Sequence, residues 1–407
     1  MHRLLFVTPV APDVAAMDGG SRVMAQLIET LAVSHSVGIV YFRGEGDPAL
    51  GALENVCDVA VELPRAGPWM RKLRAVGGLM IQRPLWASRW WAPQNAERLR
   101  AAVELWQPDV VQFEYHVTGQ YAASLKGTRA ARVLIDHEPG VVASSGDGVG
   151  GGPLRRLLAT VEARAWEAYE RRIYRHVDRV VVFTESDRDA IRHLAGNTPI
   201  ARIPFATRIP DRPLSAAGTD TDRILFVGNF RHYPNVDAAM RLVRDVFPLV
   251  GAEFPGAKLT LIGPDPPDVL RAAAGESIEV PGAVSDVAPY LDSAAVVVAP
   301  LRLGGGMRVK VLEALAAGKA VVCTCRAVEG LSVRDREHVR IAETDAEFAR
   351  AIVSLLSSRE ERTAMGERAY AWARVHAGWT TVATQYEALY DRIGALHGAP
   401  FRLAGEG

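Results

Sequence analysis

The residues with the clearest chemical logic run from Pro300 to Gly318, in the order Pro-Leu-Arg-Leu-Gly-Gly-Gly-Met-Arg-Val-Lys-Val-Leu-Glu-Ala-Leu-Ala-Ala-Gly. An apolar run ends at Pro300, and Gly304, Gly305 and Gly306 make a turn. A helix is expected from about Met307 to Ala317, stopped by Gly318. Such a turn leaves backbone N–H groups open at the positive end of a helix dipole, which makes a cradle for phosphate. Arg308 and Lys310 add two cations in the first turn, where the dipole disfavours them. They make sense there if a multiply charged anion sits between them. With no ligand the same residues would be a glycine turn and a solvated basic face. Glu313 follows, roughly 9 Å further along at about 1.5 Å per residue, where a carboxylate can accept from a ribose diol. Its neighbours Leu312, Ala314, Leu315 and Ala316 are apolar, unlike those of an ordinary exposed helical glutamate.

These residues need a scaffold. The apolar runs Leu4–Val7, Val37–Phe42, Asp109–Phe113, Arg132–Ile135 and Arg179–Phe183 read as buried parallel strands, each followed by a helical stretch such as Ser186–Leu194. The first strand leads through Gly19-Gly20 into a helix starting near Arg22. Glycines there let the backbone approach a ligand closely, or make only a tight turn. A second series has strands at Ile224–Val227, Leu259–Ile262, Ala295–Val298 and Ala320–Val322, and a helix over Val236–Val250. Alternating strand and helix argues for an α/β chain of two Rossmann-like, doubly wound domains facing a central cleft. The boundaries read as residues 1–210, then 222–378 after a polar linker, with a C-terminal helix in 379–407 packing back on the first domain.

At 407 residues the chain suits two domains, and 47 Lys+Arg balance 47 Asp+Glu. Zero net charge excludes a global basic field for nucleic acid. Three cysteines with no C-x-x-C pair exclude a disulfide framework and argue against a zinc ribbon or a thioredoxin site. No apolar run reaches the length of a membrane span, and a cytoplasmic location fits. Pro68–Trp91 is rich in Trp and Arg, so peripheral contact at the inner membrane face is one reading and packing onto the domain the other. Segment 146–152 carries five glycines and reads as a mobile loop. Asp220-Thr-Asp222, Asp265-Pro-Pro-Asp268 and Cys323-Thr-Cys325 read as a polar turn, a turn and packing.

The segment Leu312-Glu-Ala-Leu-Ala-Ala-Gly-Lys-Ala-Val-Val322 resembles the "LEAMAAGxPVV" signature of the retaining glycosyltransferases of family 4, which have the GT-B fold. Phe226-Val-Gly-Asn-Phe-Arg-His-Tyr-Pro-Asn-Val-Asp-Ala238 resembles "GNFxxxPNxDA" of a subgroup whose donor loop reads "GxGxRxKxLEA". The resemblance covers nearly the whole chain. It implies that Gly305, Gly306, Met307, Arg308, Lys310 and Arg231 hold a donor diphosphate, with Gly20 facing it, and that Glu313 holds the ribose. The turn Gly282–Asp286 is similar to the family's "GxVxD", which implies nucleobase contacts through the backbone of Gly282 and Val284. His137, at the end of the run Arg132–Ile135, falls at the family's active-site histidine. Such a histidine can donate to a sugar hydroxyl or polarise the acceptor. Gly19, Glu114, His116 and Glu138 would line the acceptor side. The departure is Gly305, where most members have a glutamate.

The expected activity is metal-independent hexosyl transfer from a nucleotide-diphosphate sugar to a glycan, lipid-linked or small-molecule acceptor, with no cofactor. His137, Arg231 and Lys310 would act on the reacting groups. Two other readings stay open: an epimerase or hydrolase using Glu114 and Glu138, and a non-catalytic sugar-nucleotide-binding partner protein.

Overall fold

In the computed structural model, residues 1–16, 18–67, 83–143, 153–215, 218, 222–304 and 308–396 are described. The first sheet holds β1 (Arg3–Thr8), β2 (Ser36–Arg43), β3 (Val59–Pro64), β4 (Val110–Glu114), β5 (Ala131–Ile135), β6 (Arg179–Val182) and β7 (Ile200–Arg202). All pair in parallel, in the order β3-β2-β1-β4-β5-β6-β7. The second holds β8 (Arg223–Val227), β9 (Lys258–Ile262), β10 (Ile278–Gly282), β11 (Val296–Ala299), β12 (Val321–Cys323) and β13 (Arg340–Ile341), ordered β10-β9-β8-β11-β12-β13 and again parallel. In both sheets the order reverses beside the first strand, and a ligand of a doubly wound sheet binds at such a switch point.

The central strands are apolar on both faces because helices cover both. Leu4 to Val7 and Ile224 to Phe226 are each at most 1% exposed. The edge strands β3 and β10 alternate half-buried and exposed residues instead, and β7 and β13 are only three and two residues long. Their weak patterns are why sequence reading passed over them. The helix expected over Val236–Val250 is broken. It runs Tyr233–Arg241, widens to a π turn at Leu242–Val246, and resumes over Phe247–Glu253. Pro248 offers no N–H, so the regular ladder cannot continue through it.

After β7 the chain passes to the second domain along its surface. Leu214 N–H donates to Ala317 O at 2.9 Å, and Tyr370 Oη donates to Pro210 O at 2.7 Å. The last helix, Trp379–Leu396, lies against the first domain. Trp379 Nε1 donates to Gln26 Oε1 at 2.8 Å, and Asp391 Oδ1 lies 2.7 Å from His2 Nε2.

Segment 146–152, residues 68–82 of the Trp-rich stretch, and Gly305, Gly306 and Met307 fall outside the described residues. The tryptophans that are described spend their rings on the first domain. Trp90 meets Phe42 edge-on at 5.8 Å, Trp91 stacks on Tyr121 at 4.9 Å, and Trp86 meets His116 at 4.9 Å while staying 42% exposed. Among the described residues no helix is long and apolar enough to cross a membrane.

Candidate functional site

A cleft of about 350 Å³ lies between the carboxyl ends of the two sheets. One wall is the turn after β1, with Asp18, Gly19, Gly20 and Arg22, together with Tyr115, His137 and Glu138 beyond β4 and β5. The other carries Asn229, His232 and Asn235 after β8, and Gly304, Arg308, Lys310 and Glu313 around the helix Val309–Ala316.

The glycine pair sets how close the walls come. A Cβ on Gly19 would stand 3.1 Å from Val309 Cβ of the other domain. A Cβ on Gly20 would lie 1.9 Å from Tyr115 Oη, so a side chain there forces that hydroxyl out of its place. Asp18 starts the helix Gly19–Leu31, its carboxylate accepting from Ser21 N at 3.0 Å.

The helix Val309–Ala316 begins at Arg308, whose side chain makes no capping bond. Val311 N–H already turns back to Arg308 O at 3.0 Å, so an anion at this helix start would meet the amides of Val309 and Lys310. Arg308 is 5% exposed and braces the loop behind the helix, donating to Arg326 O at 2.9 Å and to Gly304 O at 3.1 Å, with Glu329 at 3.7 Å. Burial, opposed in part by Glu329, lowers its pKa. Lys310 hydrogen-bonds Asn235 Oδ1 and lies 4.6 Å from the centre of the Phe226 ring. Burial, reinforced by Arg308, pulls its ammonium down to about 7. Arg308 feels the charges of Glu329, Glu138 and Asp187, whereas Lys310 is pressed by burial and by Arg308, a placement an anion in the cleft would relieve.

Glu313 is held by Arg22 from the facing domain, through Nε and Nη2 at 2.9 Å each. Burial raises the Glu313 pKa and the guanidinium opposes that shift. Arg231 turns away. It is paired with Asp265 in solvent, with its side chain 76% exposed, and does not line the cleft. Asp265 is held at φ 54. Gly282, with φ 81, ends β10, and its carbonyl accepts from Gly263 N–H at 2.8 Å. Neither Gly282 nor the half-buried Val284 lines the cleft.

On the first domain, His137 is 2% exposed and its Nε2 lies 2.5 Å from Glu114 Oε2. Tyr115 stacks on the ring at 3.8 Å and 11°, and Phe183 meets it edge-on at 5.2 Å. Tyr115 adopts φ 67, a conformation that costs a side-chain-bearing residue energy and that clusters at ligand sites. Glu138 lines the cleft, whereas Glu114 faces His137 from below.

His116 is set apart from the cleft. It lies buried between Trp86 and Trp166, and its Nδ1 is 3.4 Å from Asp136 Oδ1. With Glu170 these two make the one group among the described residues whose ligand-type atoms come within 4.8 Å of one another. Tyr174 Oη donates to Asp136 at 2.7 Å, and burial followed by the charge of Asp136 raises the Glu170 pKa well above its usual range. The cluster is a buried polar network beside the carboxyl end of β5.

Sequence reasoning passed over Asp18, Arg22, Tyr115 and Asn235. Only Asn235 stood in a quoted motif. Arg22 and Tyr115 reach the cleft by packing across domains or by an unusual backbone angle, and neither leaves a spacing signal.

Residues 18–206 match the model described as "Glycosyl transferase 4-like domain", and residues 221–358 match "Glycosyl transferases group 1". The chain belongs to the family 4 glycosyltransferases. A phosphatidyl-myo-inositol mannosyltransferase of Mycobacterium tuberculosis is 29% identical over 195 residues, 44% of this chain and 50% of the relative. The chain thus spans about half the length of the curated relatives it matches. Among solved structures, sucrose-phosphate synthase from Thermosynechococcus elongatus aligns with a TM-score of 0.73 at 19% identity, covering 97% of this chain and 100% of that one. HepE of Anabaena, in complex with UDP-glucose, aligns with a TM-score of 0.64 at 13% identity, covering 96% and 100%. At such identities these likenesses establish the two-domain GT-B fold.

Proposed function

We propose that this glycosyltransferase moves a hexosyl unit from a nucleoside diphosphate sugar to an acceptor hydroxyl, with retention of configuration and without a metal ion. It falls in the branch whose donor loop reads glycine at Gly305. The observation that carries the reading is the facing of two unlike walls. Arg308, Lys310 and the start of the helix Val309–Ala316 oppose His137 across one cleft. When the bond from the anomeric carbon to the diphosphate oxygen breaks, the electron pair stays on the diphosphate. The cationic wall stabilises that charge in a site partly closed to water. In this reading His137 and Glu138, which both line the cleft, act on the sugar and the acceptor.

The names of its relatives suggest the first reagents to try. UDP-glucose, bound in the HepE structure, is the first donor to try, and phosphatidyl-myo-inositol, named for the mannosyltransferase relative, the first acceptor. The epimerase reading loses support because Glu114, one of its two carboxylates, is turned to His137 and Gln112.

The test is a thermal-shift screen against nucleoside diphosphates and their sugars, followed by turnover with the donor that stabilises. A ligand at 100 times its dissociation constant adds about 2.7 kcal/mol. Proton NMR of the product gives the anomeric configuration, and a chelator arm tests metal independence. Near-normal turnover of a double Arg308→Ala, Lys310→Ala variant would sink the reading.

A further inference from the structure

Behind His137 a buried chain of hydrogen bonds runs to the C-terminal helix. Tyr390 Oη donates to Gln112 Oε1 at 2.5 Å, and Gln112 Nε2 donates to Glu114 Oε1 at 2.6 Å. Glu114 Oε2 meets His137 Nε2 at 2.5 Å. All four side chains are at most 2% exposed. We propose that Tyr390, Gln112 and Glu114 are positioning residues that hold His137 as the tautomer protonated on Nε2, leaving the Nδ1 lone pair to accept from a hydroxyl bound in the cleft. This rests on the reading of the cleft given above.

The direction of each bond is set by chemistry. A phenol buried this deeply keeps its proton, and burial raises the Tyr390 pKa well above its ordinary value. It must therefore donate to the amide oxygen of Gln112. That fixes the Gln112 amide, whose nitrogen then faces Glu114. The carboxylate has no proton to give, so the bond at Oε2 needs a donor, and Nε2–H supplies it. Tyr115 and Phe183 clamp the ring from the face and the edge. Nδ1 is then the one polar atom left on the ring, buried and with no hydrogen-bond partner among the described residues. Since the ring lines the cleft, a ligand is the partner at hand.

The relay predicts an exchange of tautomers. In Glu114→Gln, Gln112 still presents an N–H to residue 114. The new amide must turn its carbonyl to Gln112 and its NH₂ to His137, which moves the ring proton to Nδ1. In the swap Gln112→Glu with Glu114→Gln, the acceptor at 112 draws the amide back and its carbonyl again meets Nε2–H.

The experiment records long-range proton–nitrogen spectra of the full chain with ¹⁵N-labelled histidine, assigning the signal through its loss in His137→Gln. The expected result is Nε2–H in the parent, Nδ1–H in Glu114→Gln, and Nε2–H again in the swap. Alongside it, kcat should fall about 10- to 100-fold in the single variant with donor KM within about threefold, and recover in the swap. A Glu114 that only supports the fold would destabilise both variants without exchanging the proton. Retention of Nε2–H in Glu114→Gln overturns the proposal, and so does a tautomer change that leaves kcat untouched. If the parent turns over no donor, the transferase reading fails while the spectra still decide the relay.

Discussion

Arg22 grips Glu313 from across the cleft, with Nε and Nη2 each 2.9 Å from a carboxylate oxygen and Nη1 donating to Ala16 O at 2.6 Å. The two residues belong to different domains, so this bidentate pair is a bond between them. It also fills the carboxylate proposed for a ribose diol. A nucleotide that uses Glu313 must therefore displace Arg22. Arg22→Ala should bind a free nucleoside diphosphate a few-fold more tightly, and Glu313→Ala about 10- to 100-fold more weakly, as one or two charge-assisted hydrogen bonds imply. Folding stability should show a coupling of about 1–3 kcal/mol in the double-mutant cycle. Weaker nucleotide binding by Arg22→Ala in calorimetric titration would mean that Arg22 touches the ligand rather than competing with it.

Lys310 carries a cost that the proposed ligand removes. Its value near 7 lies below the 10.5 of an unburied lysine, so the unfolded chain binds more protons over that interval. The penalty is complete below pH 7 and fades as pH rises toward 10.5. Lys310→Met should then stabilise the fold by about 1–3 kcal/mol at pH 6 and hardly at all near pH 10. Urea denaturation at the two pH values measures this. The same variant should lose about 10²-fold in transfer rate, the effect of removing one donor to the leaving group. In the parent, a diphosphate restores the ammonium, so binding at pH 8 should take up a proton, detectable by titration in buffers of different ionisation enthalpy.

Gly20 and Tyr115 occupy one space. Gly20→Ala puts a methyl 1.9 Å from Tyr115 Oη but 3.2 Å from Cζ, so the hydroxyl makes most of the clash. Overpacking of this kind costs about 1–3 kcal/mol. Tyr115→Phe alone should be close to neutral in stability, because the stacking on His137 is kept. Added to Gly20→Ala it should recover at least half of the loss. Thermal denaturation of the three variants checks this, and a double variant no better than Gly20→Ala would show that the ring itself is the obstacle.

What the amino-acid order made legible follows a physical division. Strands such as β1, β8 and β11 are continuous apolar runs because both faces are covered. The three glycines 304–306 and the helix after them carry local signals of composition, spacing and charge in the sequence. Edge strands β3 and β10 are half exposed and so lack that pattern. Arg231 sat at the correct strand end, yet a side chain's direction depends on tertiary partners, and Asp265 draws it outward. Arg22, Tyr115 and Tyr390 matter through residues that lie 291, 22 and 278 positions away in sequence, at Glu313, His137 and Gln112. No window along the chain contains such pairs.

The C-terminal helix should be part of the first domain's stability. Tyr390 and Val382 are fully buried, Ile393 is 1% exposed and Tyr386 2%. Trp379 and the backbone N–H of Arg208 both donate to Gln26 Oε1, at 2.8 and 3.0 Å. Ending the chain at Gly378 strips this cover from the first domain and leaves the second sheet intact. Hydrogen exchange should then lose protection at β1 and β4 while β8 and β11 keep theirs. Tyr390→Phe is the finer probe. It removes one hydroxyl and leaves Gln112 Oε1 buried without its donor, which should cost about 1–2 kcal/mol in urea denaturation. Equal loss of protection in both domains on truncation would mean instead that the helix holds the two domains together.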